Sequence, residues 1–160
     1  NVECGMNGMF ASPQVQRAYE IAAIAHAGQV DKAGTAYIQH PLTVASFVKT
    51  DDEKTVALLH DVVEDTVVTL QDLRDAGFSA NIVHAVDCVT KRDDESLKAY
   101  LQRVKSDPLA TAVKLADLRH NSDLSRIPNP TEKDFARVKR YRQELAFLAD
   151  PSGQEWNQNV

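Results

Sequence analysis

Residues 51–66 read DDEKTVALLHDVVEDT, a stretch that sets the fold and poses the functional question at once. Asp51 and Asp52 supply a helix-start signal, and the apolar residues that follow suit a buried helix. Leu58, Leu59, Val62 and Val63 are expected to hold that helix in the core. On a helix of 3.6 residues per turn, His60 pairs with Glu64 and Asp61 with Asp65 at i,i+4, leaving one polar edge. Charged side chains are seldom buried unless they are paired or bind a metal. The edge therefore requires a partner from elsewhere in the chain.

The flanking punctuation is helical throughout. Ser12-Pro13 opens a helix to about Ala27, and GQVDKAGTAYIQ (28–39) is a loop. His40-Pro41 begins the next helix, to about Lys49. Thr69 caps a short helix stopped by Gly77, and Ser79 caps one reaching about Val89. A turn at Lys91–Asp94 precedes a helix to about Lys105, and Asp107-Pro108 opens another through Asn121. Thr131 with Asp134 resembles a capping box for the last helix, which runs to Asp150-Pro151. No alternating strand pattern appears. The expectation is an all-α fold, a single compact bundle of about seven to eight helices over residues 12–150. Residues 1–11 are expected to be a flexible N-terminal segment or vector-derived, and 151–160 a polar tail.

The composition, 43% hydrophobic and 26% charged over 160 residues, fits one soluble domain. A net charge of −5 argues against nucleic acid as partner but permits a small phosphorylated ligand held by local cations. Cys4 and Cys88 lie in unlike contexts, so no disulfide framework is expected and a reducing cytoplasm is the default. No apolar run approaches the roughly 18 residues of a membrane span. Oligomeric state is not legible.

Two further segments offer partners for the acidic edge. In VKLADLRHN (113–121), Val113, Asp117 and Asn121 form one helical stripe, with Asp117 at its buried edge. His40 is held at a helix start by Pro41. Two imidazoles and two carboxylates, from His40, His60, Asp61 and Asp117, suit Mn²⁺, Fe²⁺ or Zn²⁺ better than Mg²⁺ or Ca²⁺. Cations for an anionic substrate come from Lys32 and from ARVKRYRQEL (136–145), where Arg137 and Tyr141 share a face. Tyr37 reads as core packing under the loop. His26, His84 and His120 read as structural or surface histidines.

Three segments, AHAGQVDKAGTAYIQHPLTVA (25–45), ALLHDVVEDT (57–66) and VKLADLRHNSDL (113–124), resemble the HD superfamily of metal-dependent phosphohydrolases. More narrowly, they are similar to the hydrolase domain of RelA/SpoT-type alarmone enzymes and to stand-alone small alarmone hydrolases. The resemblance implies Mn²⁺-dependent removal of the 3′-pyrophosphate from ppGpp or pppGpp. By position it gives His40, His60, Asp61 and Asp117 as ligands of one Mn²⁺, with Glu64 and Asp65 as the catalytic acidic pair. It also implies that Lys32, Asn121, Arg137 and Tyr141 contact the nucleotide. The loop departs from the family pattern at Val30-Asp31-Lys32, a carboxylate standing where arginine is common. This opens adenosine alarmones or other nucleotides as alternative substrates. A non-catalytic nucleotide sensor is the remaining alternative.

Overall fold

Caps and prolines set the helix starts in the computed structural model, which describes residues 9–151. Helix α1 (Pro13–Ala25) begins on proline after Ser12, and α2 (Gln39–Ser46) carries His40-Pro41 in its first turn. Helix α3 (Asp51–Leu59) is capped by Thr50, one residue before the expected aspartates, in a reciprocal box with Glu53. The threonine hydroxyl can accept from the Glu53 N–H, leaving Asp51, Asp52 and Glu53 to face the positive end of the helix dipole.

The largest difference from expectation falls at the HD couplet. The helix does not run on to Asp65; α3 stops at Leu59 and a single turn, α4 (Val62–Asp65), follows. Between them Asp61 sits at φ −105°, ψ −2°, the bridge region between helical and extended backbone. His60 and Asp61 are therefore the corner between two helices rather than successive positions on one. The corner turns both side chains toward the same crevice, which a straight helix would splay by about 100°.

Helices α5 (Leu70–Asp75), α6 (Ala80–Val89), α7 (Leu97–Lys105), α8 (Pro108–Asn121) and α9 (Glu132–Ala149) follow. Side chains of Thr69, Ser79, Ser96, Asp107 and Thr131 cap them in turn. Gly77, at φ +94°, ends α5 in the left-handed conformation that a side chain would disfavour. No strand forms among the described residues, only one isolated bridge between Val30 and Ala36 that pinches the loop. Met9–Ala11 forms a 3₁₀ turn, with Phe10 packed on Tyr19, so ordered chain begins before residue 12. The remainder of the expected leader, and the tail beyond Pro151, lie outside the described residues.

Helix α3 is the central post. Val56, Ala57, Leu58 and Leu59 are all fully buried, so the C-terminal half of the helix is covered on every side while its first turn reaches solvent. Helices α1, α2, α6 and α8 surround it. A second apolar cluster, including Tyr100, Leu101, Val104 and Leu148, joins α7, α8 and α9. Val62 is also buried, whereas Val63 is only half-buried. No described helix is long and apolar enough to cross a membrane.

Arg103 on α7 fastens the segment between α6 and α7. It donates to both carboxylate oxygens of Glu95 (2.7 and 2.9 Å) and to the carbonyls of Asp87 and Thr90, each at 2.7 Å. This arginine holds the Glu95 carboxyl at about 2, below its ordinary 4.5. Between those values the unfolded chain binds the extra proton, so the pair's contribution is present above about 4.5 and lost as pH falls toward about 2. Glu95→Gln is expected to cost about 1–3 kcal/mol at neutral pH. Urea unfolding of both proteins should show that gap closing across the acidic window.

Candidate metal centre

The corner of α3–α4 meets α2 and α8 at one buried point. His40 comes from the first turn of α2, His60 and Asp61 from the corner, and Asp117 from α8. His40 Nε2 lies 2.7 Å from Asp117 Oδ1 and 3.8 Å from Asp61 Oδ2. His60 Nε2 lies 3.1 Å from Asp61 Oδ2 and 3.3 Å from Asp117 Oδ1. Ligands bound about 2.0–2.2 Å from one cation stand about 3–3.5 Å apart, so the two His60 spacings already suit one ion. The His40–Asp117 pair, at hydrogen-bond distance, must open by a few tenths of an ångström, and the His40–Asp61 pair must close by about as much.

His60 carries the sharpest sign of a missing partner. Its Nδ1 faces the Ala57 carbonyl at 2.5 Å, which fixes the proton on Nδ1. Its Nε2 is buried and makes no hydrogen bond, yet it faces two carboxylates at ion-pair distance, so it needs either a proton or a cation. A buried polar nitrogen without a partner is costly in a protein interior. A divalent cation satisfies it, because an Nδ1–H donated to a carbonyl is the usual arrangement for an imidazole that ligates through Nε2. The donor set and the orphaned atom both fit a metal.

The electrostatics agree. Burial opposes ionisation of Asp117, but Lys114, His40 and His60 outweigh it and hold the carboxyl well below its usual range. Asp61, against the same penalty, is held at about 2, chiefly by His60. Burial disfavours charge on His60 too, yet Asp61 and Asp117 draw a proton toward it. Two ionised carboxylates thus concentrate negative charge on the crevice, with the Lys114 ammonium 3.0 Å from Asp117 Oδ2.

A supporting ring holds the four. The Asn121 side-chain amide donates to Asp117 Oδ1 at 3.1 Å. Tyr37, read from sequence as core, instead donates its hydroxyl to Asp61 Oδ2 at 2.5 Å. His120, read as structural or surface, stacks on His40 with their Nδ1 atoms 2.7 Å apart. For His40 to offer its Nε2 lone pair to a cation, its Nδ1 must carry the proton and donate it to His120. Burial, Arg126 and His40 lower the His120 pKa to about 4, keeping it a neutral acceptor. His120→Ala is expected to weaken Mn²⁺ binding by about 10–100-fold, read by calorimetric titration. An unchanged affinity would remove His120 from the ring.

Glu64 and Asp65 are exposed beside the centre, with a carboxylate oxygen of each within 4.8 Å of one another and of Asp61. Burial raises both pKa values, and the neighbouring carboxylates raise them further. The backbone N–H of Lys91 donates to Glu64 Oε1 at 2.8 Å.

Two cavities flank the centre, and Tyr141 lines both. One, of about 300 Å³, is lined by Lys32, Tyr37, Asn121, Arg126, Arg137 and Tyr141, so the four residues expected to contact substrate share one space. Arg137 is tied there to Asp134. The other, of about 340 Å³, includes Asp61 and Glu64 with Lys91, Lys114 and Arg140. Lys139 and Arg142 are exposed and line neither cavity. Asp31, the loop's odd carboxylate, pairs with Arg126 at 3.2 Å and accepts from the backbone N–H groups of Ala33 and Thr35.

The model of the HD domain matches residues 18–141. A probable GTP pyrophosphokinase of Mycobacterium leprae is 36% identical over 152 residues, 87% of this chain and 19% of that protein. The bifunctional (p)ppGpp synthase/hydrolase SpoT of Escherichia coli is 34% identical over 123 residues, 68% of this chain and 17% of that protein. Those names describe whole proteins of which this chain spans about a fifth. A solved structure of a metazoan ortholog of SpoT, described as hydrolyzing ppGpp, superposes with a TM-score of 0.73. It is 20% identical and covers 91% of this chain and 90% of that one, a likeness of fold. The chain belongs to the HD domain family, of the RelA/SpoT type.

Proposed function

We propose that this protein hydrolyses the 3′-pyrophosphate of ppGpp and pppGpp, giving GDP or GTP and pyrophosphate, with Mn²⁺ held by His40, His60, Asp61 and Asp117. The observation that carries the reading is the buried, unpartnered His60 Nε2 facing two ionised carboxylates beside an exposed acidic pair. The mixed imidazole and carboxylate set favours Mn²⁺, Fe²⁺ or Zn²⁺. A relative whose name includes (p)ppGpp hydrolase supports the substrate class.

A divalent cation at this centre supplies Lewis acidity, making water a nucleophile near neutral pH and drawing charge from a phosphoryl oxygen. The protein side chains do the rest. Asp65 takes the proton from the attacking water and returns one to the 3′-oxygen of the ribose. Glu64, steadied by the Lys91 N–H, orients that water. The substrate carries phosphates on both sides of its ribose, and the two cavities offer cations on both sides of Tyr141. Lys32 and Arg137 would hold the 5′-phosphates, and Lys91, Lys114 and Arg140 the departing pyrophosphate. Asn121 and Tyr141 position the nucleoside between them.

One observation favours a second reading for the base. Asp31 is consumed by Arg126 and the loop backbone, so the arginine common at this position is replaced by a neutralised pair. An adenosine alarmone such as pppApp meets the same phosphate cations. Incubating the protein and Mn²⁺ with ppGpp, pppApp and deoxynucleoside monophosphates, then resolving products, separates the readings. Pyrophosphate from ppGpp, lost with chelator and in Asp61→Ala, is the expected result. Nucleotide binding without product at any metal concentration would leave a sensor instead.

A further inference from the structure

We propose that His84, Cys88 and Asp107 form a second divalent-cation site, distinct from the first and of the thiolate–imidazole–carboxylate kind that takes Zn²⁺. His84 and Cys88 stand at i,i+4 on α6, and Asp107 is the N-cap of α8, so three chemically different ligands converge from two helices. Their ligand atoms all lie within 4.8 Å of one another. Cys88 Sγ is 3.5 Å from His84 Nε2, and Asp107 Oδ2 is 3.6 Å from the same nitrogen.

Those separations have a specific meaning. Around a tetrahedral Zn²⁺, with sulfur at about 2.3 Å and nitrogen or oxygen at about 2.0–2.2 Å, adjacent ligands stand about 3.4–3.6 Å apart. The imidazole–carboxylate gap is too long for a hydrogen bond and right for a shared cation. Asp107 divides its labour: Oδ1 accepts the capping N–H of Ala110 at 2.9 Å, leaving Oδ2 for the cluster. His84 is 64% exposed, so a cation reaches the cluster from solvent and keeps water in its fourth position.

Burial raises the Cys88 thiol pKa, and Asp107 beside it raises it further, so the unliganded sulfur is protonated. Binding is then a balanced exchange in which the cation takes the sulfur lone pair and one proton leaves to solvent. The cation would clip the end of α6 to the start of α8. The segment just beyond Cys88 holds Lys91, whose N–H steadies Glu64, so the clip reaches the catalytic edge through three residues of backbone.

Co²⁺ titration tests the site, because the first centre contains no sulfur and cannot give a thiolate-to-cobalt charge-transfer band. The experiment uses the full chain with Cys4→Ser under a phosphine reductant, leaving Cys88 as its one thiol. A near-ultraviolet charge-transfer band that saturates with Co²⁺, is displaced by Zn²⁺, and is lost in His84→Ala supports the site. His84 is exposed, so that variant keeps its fold, and Asp107→Asn, which retains the capping oxygen, should weaken the band as well. No band in the Cys4→Ser protein overturns the proposal. A band of undiminished strength in His84→Ala also overturns it, showing simple thiol binding. Either result leaves the hydrolase reading untouched.

Discussion

Asp117→Ala should abolish turnover and cost about 3–5 kcal/mol of stability, the range for stripping a buried charge of its partner. Asp117 is 4% exposed and serves four neighbours. Its Oδ1 faces His40, His60 and Asn121, and its Oδ2 faces Lys114. Removing it takes away the carboxylate 3.0 Å from the Lys114 ammonium and leaves the face of Tyr100, 5.4 Å away, and the carboxylates that line the same cavity. The double variant Lys114→Met/Asp117→Ala separates the two losses. It should recover most of the stability, because the stranded charge is gone, and none of the turnover. Added Mn²⁺ provides a third measure. A cation that binds only the folded protein stabilises it by about 2.7 kcal/mol at one hundred times its dissociation constant. Wild type should gain Tm with Mn²⁺, while Asp117→Ala and the double variant should not. An Mn²⁺-dependent Tm shift that survives in the double variant would place the cation elsewhere.

Local signals carried most of the architecture. Prolines at helix starts, hydroxyl caps and Gly77 lie within a few residues of what they determine, so the helix boundaries were readable one segment at a time. The corner at His60-Asp61 was not readable, since Leu59, Val62 and Val63 continue a helical pattern straight through it. Tertiary demand overrode that pattern: only a bend brings both side chains to His40 and Asp117. Contacts across long stretches of chain were also hidden. Tyr37 reaches Asp61 across 24 residues, His120 reaches His40 across 80, and Arg126 reaches Asp31 across 95. One clue to His120 was present, because it follows Asp117 at i,i+3 and so shares its side of α8. An aromatic or imidazole near an apolar run is usually packing, and that default concealed both Tyr37 and His120.

The acidic pair should divide unequally under substitution. Ala at either Glu64 or Asp65 is expected to cut turnover by about 10²-fold or more while Mn²⁺ content stays normal, since neither belongs to the four-residue cluster. The amides distinguish their roles. Glu64 is pinned by the Lys91 N–H, and Glu64→Gln retains an oxygen to accept it, so orientation survives and the loss should be smaller than in Glu64→Ala. Asp65 is exposed, and in the proposed mechanism its carboxylate would carry the proton between water and leaving group. Asp65→Asn cannot carry a proton and should be as damaging as Asp65→Ala. The pH profile supplies the sign. Burial and Asp61 raise the Asp65 pKa above its ordinary 3.8, so the active carboxylate is lost as pH falls through that raised value. An acid limb in wild-type kcat that disappears in Asp65→Asn, leaving a low flat rate, identifies Asp65 as the base. If the limb persists in Asp65→Asn and vanishes in Glu64→Gln, the proton travels through Glu64, and the Lys91 contact orients the base itself rather than a helper.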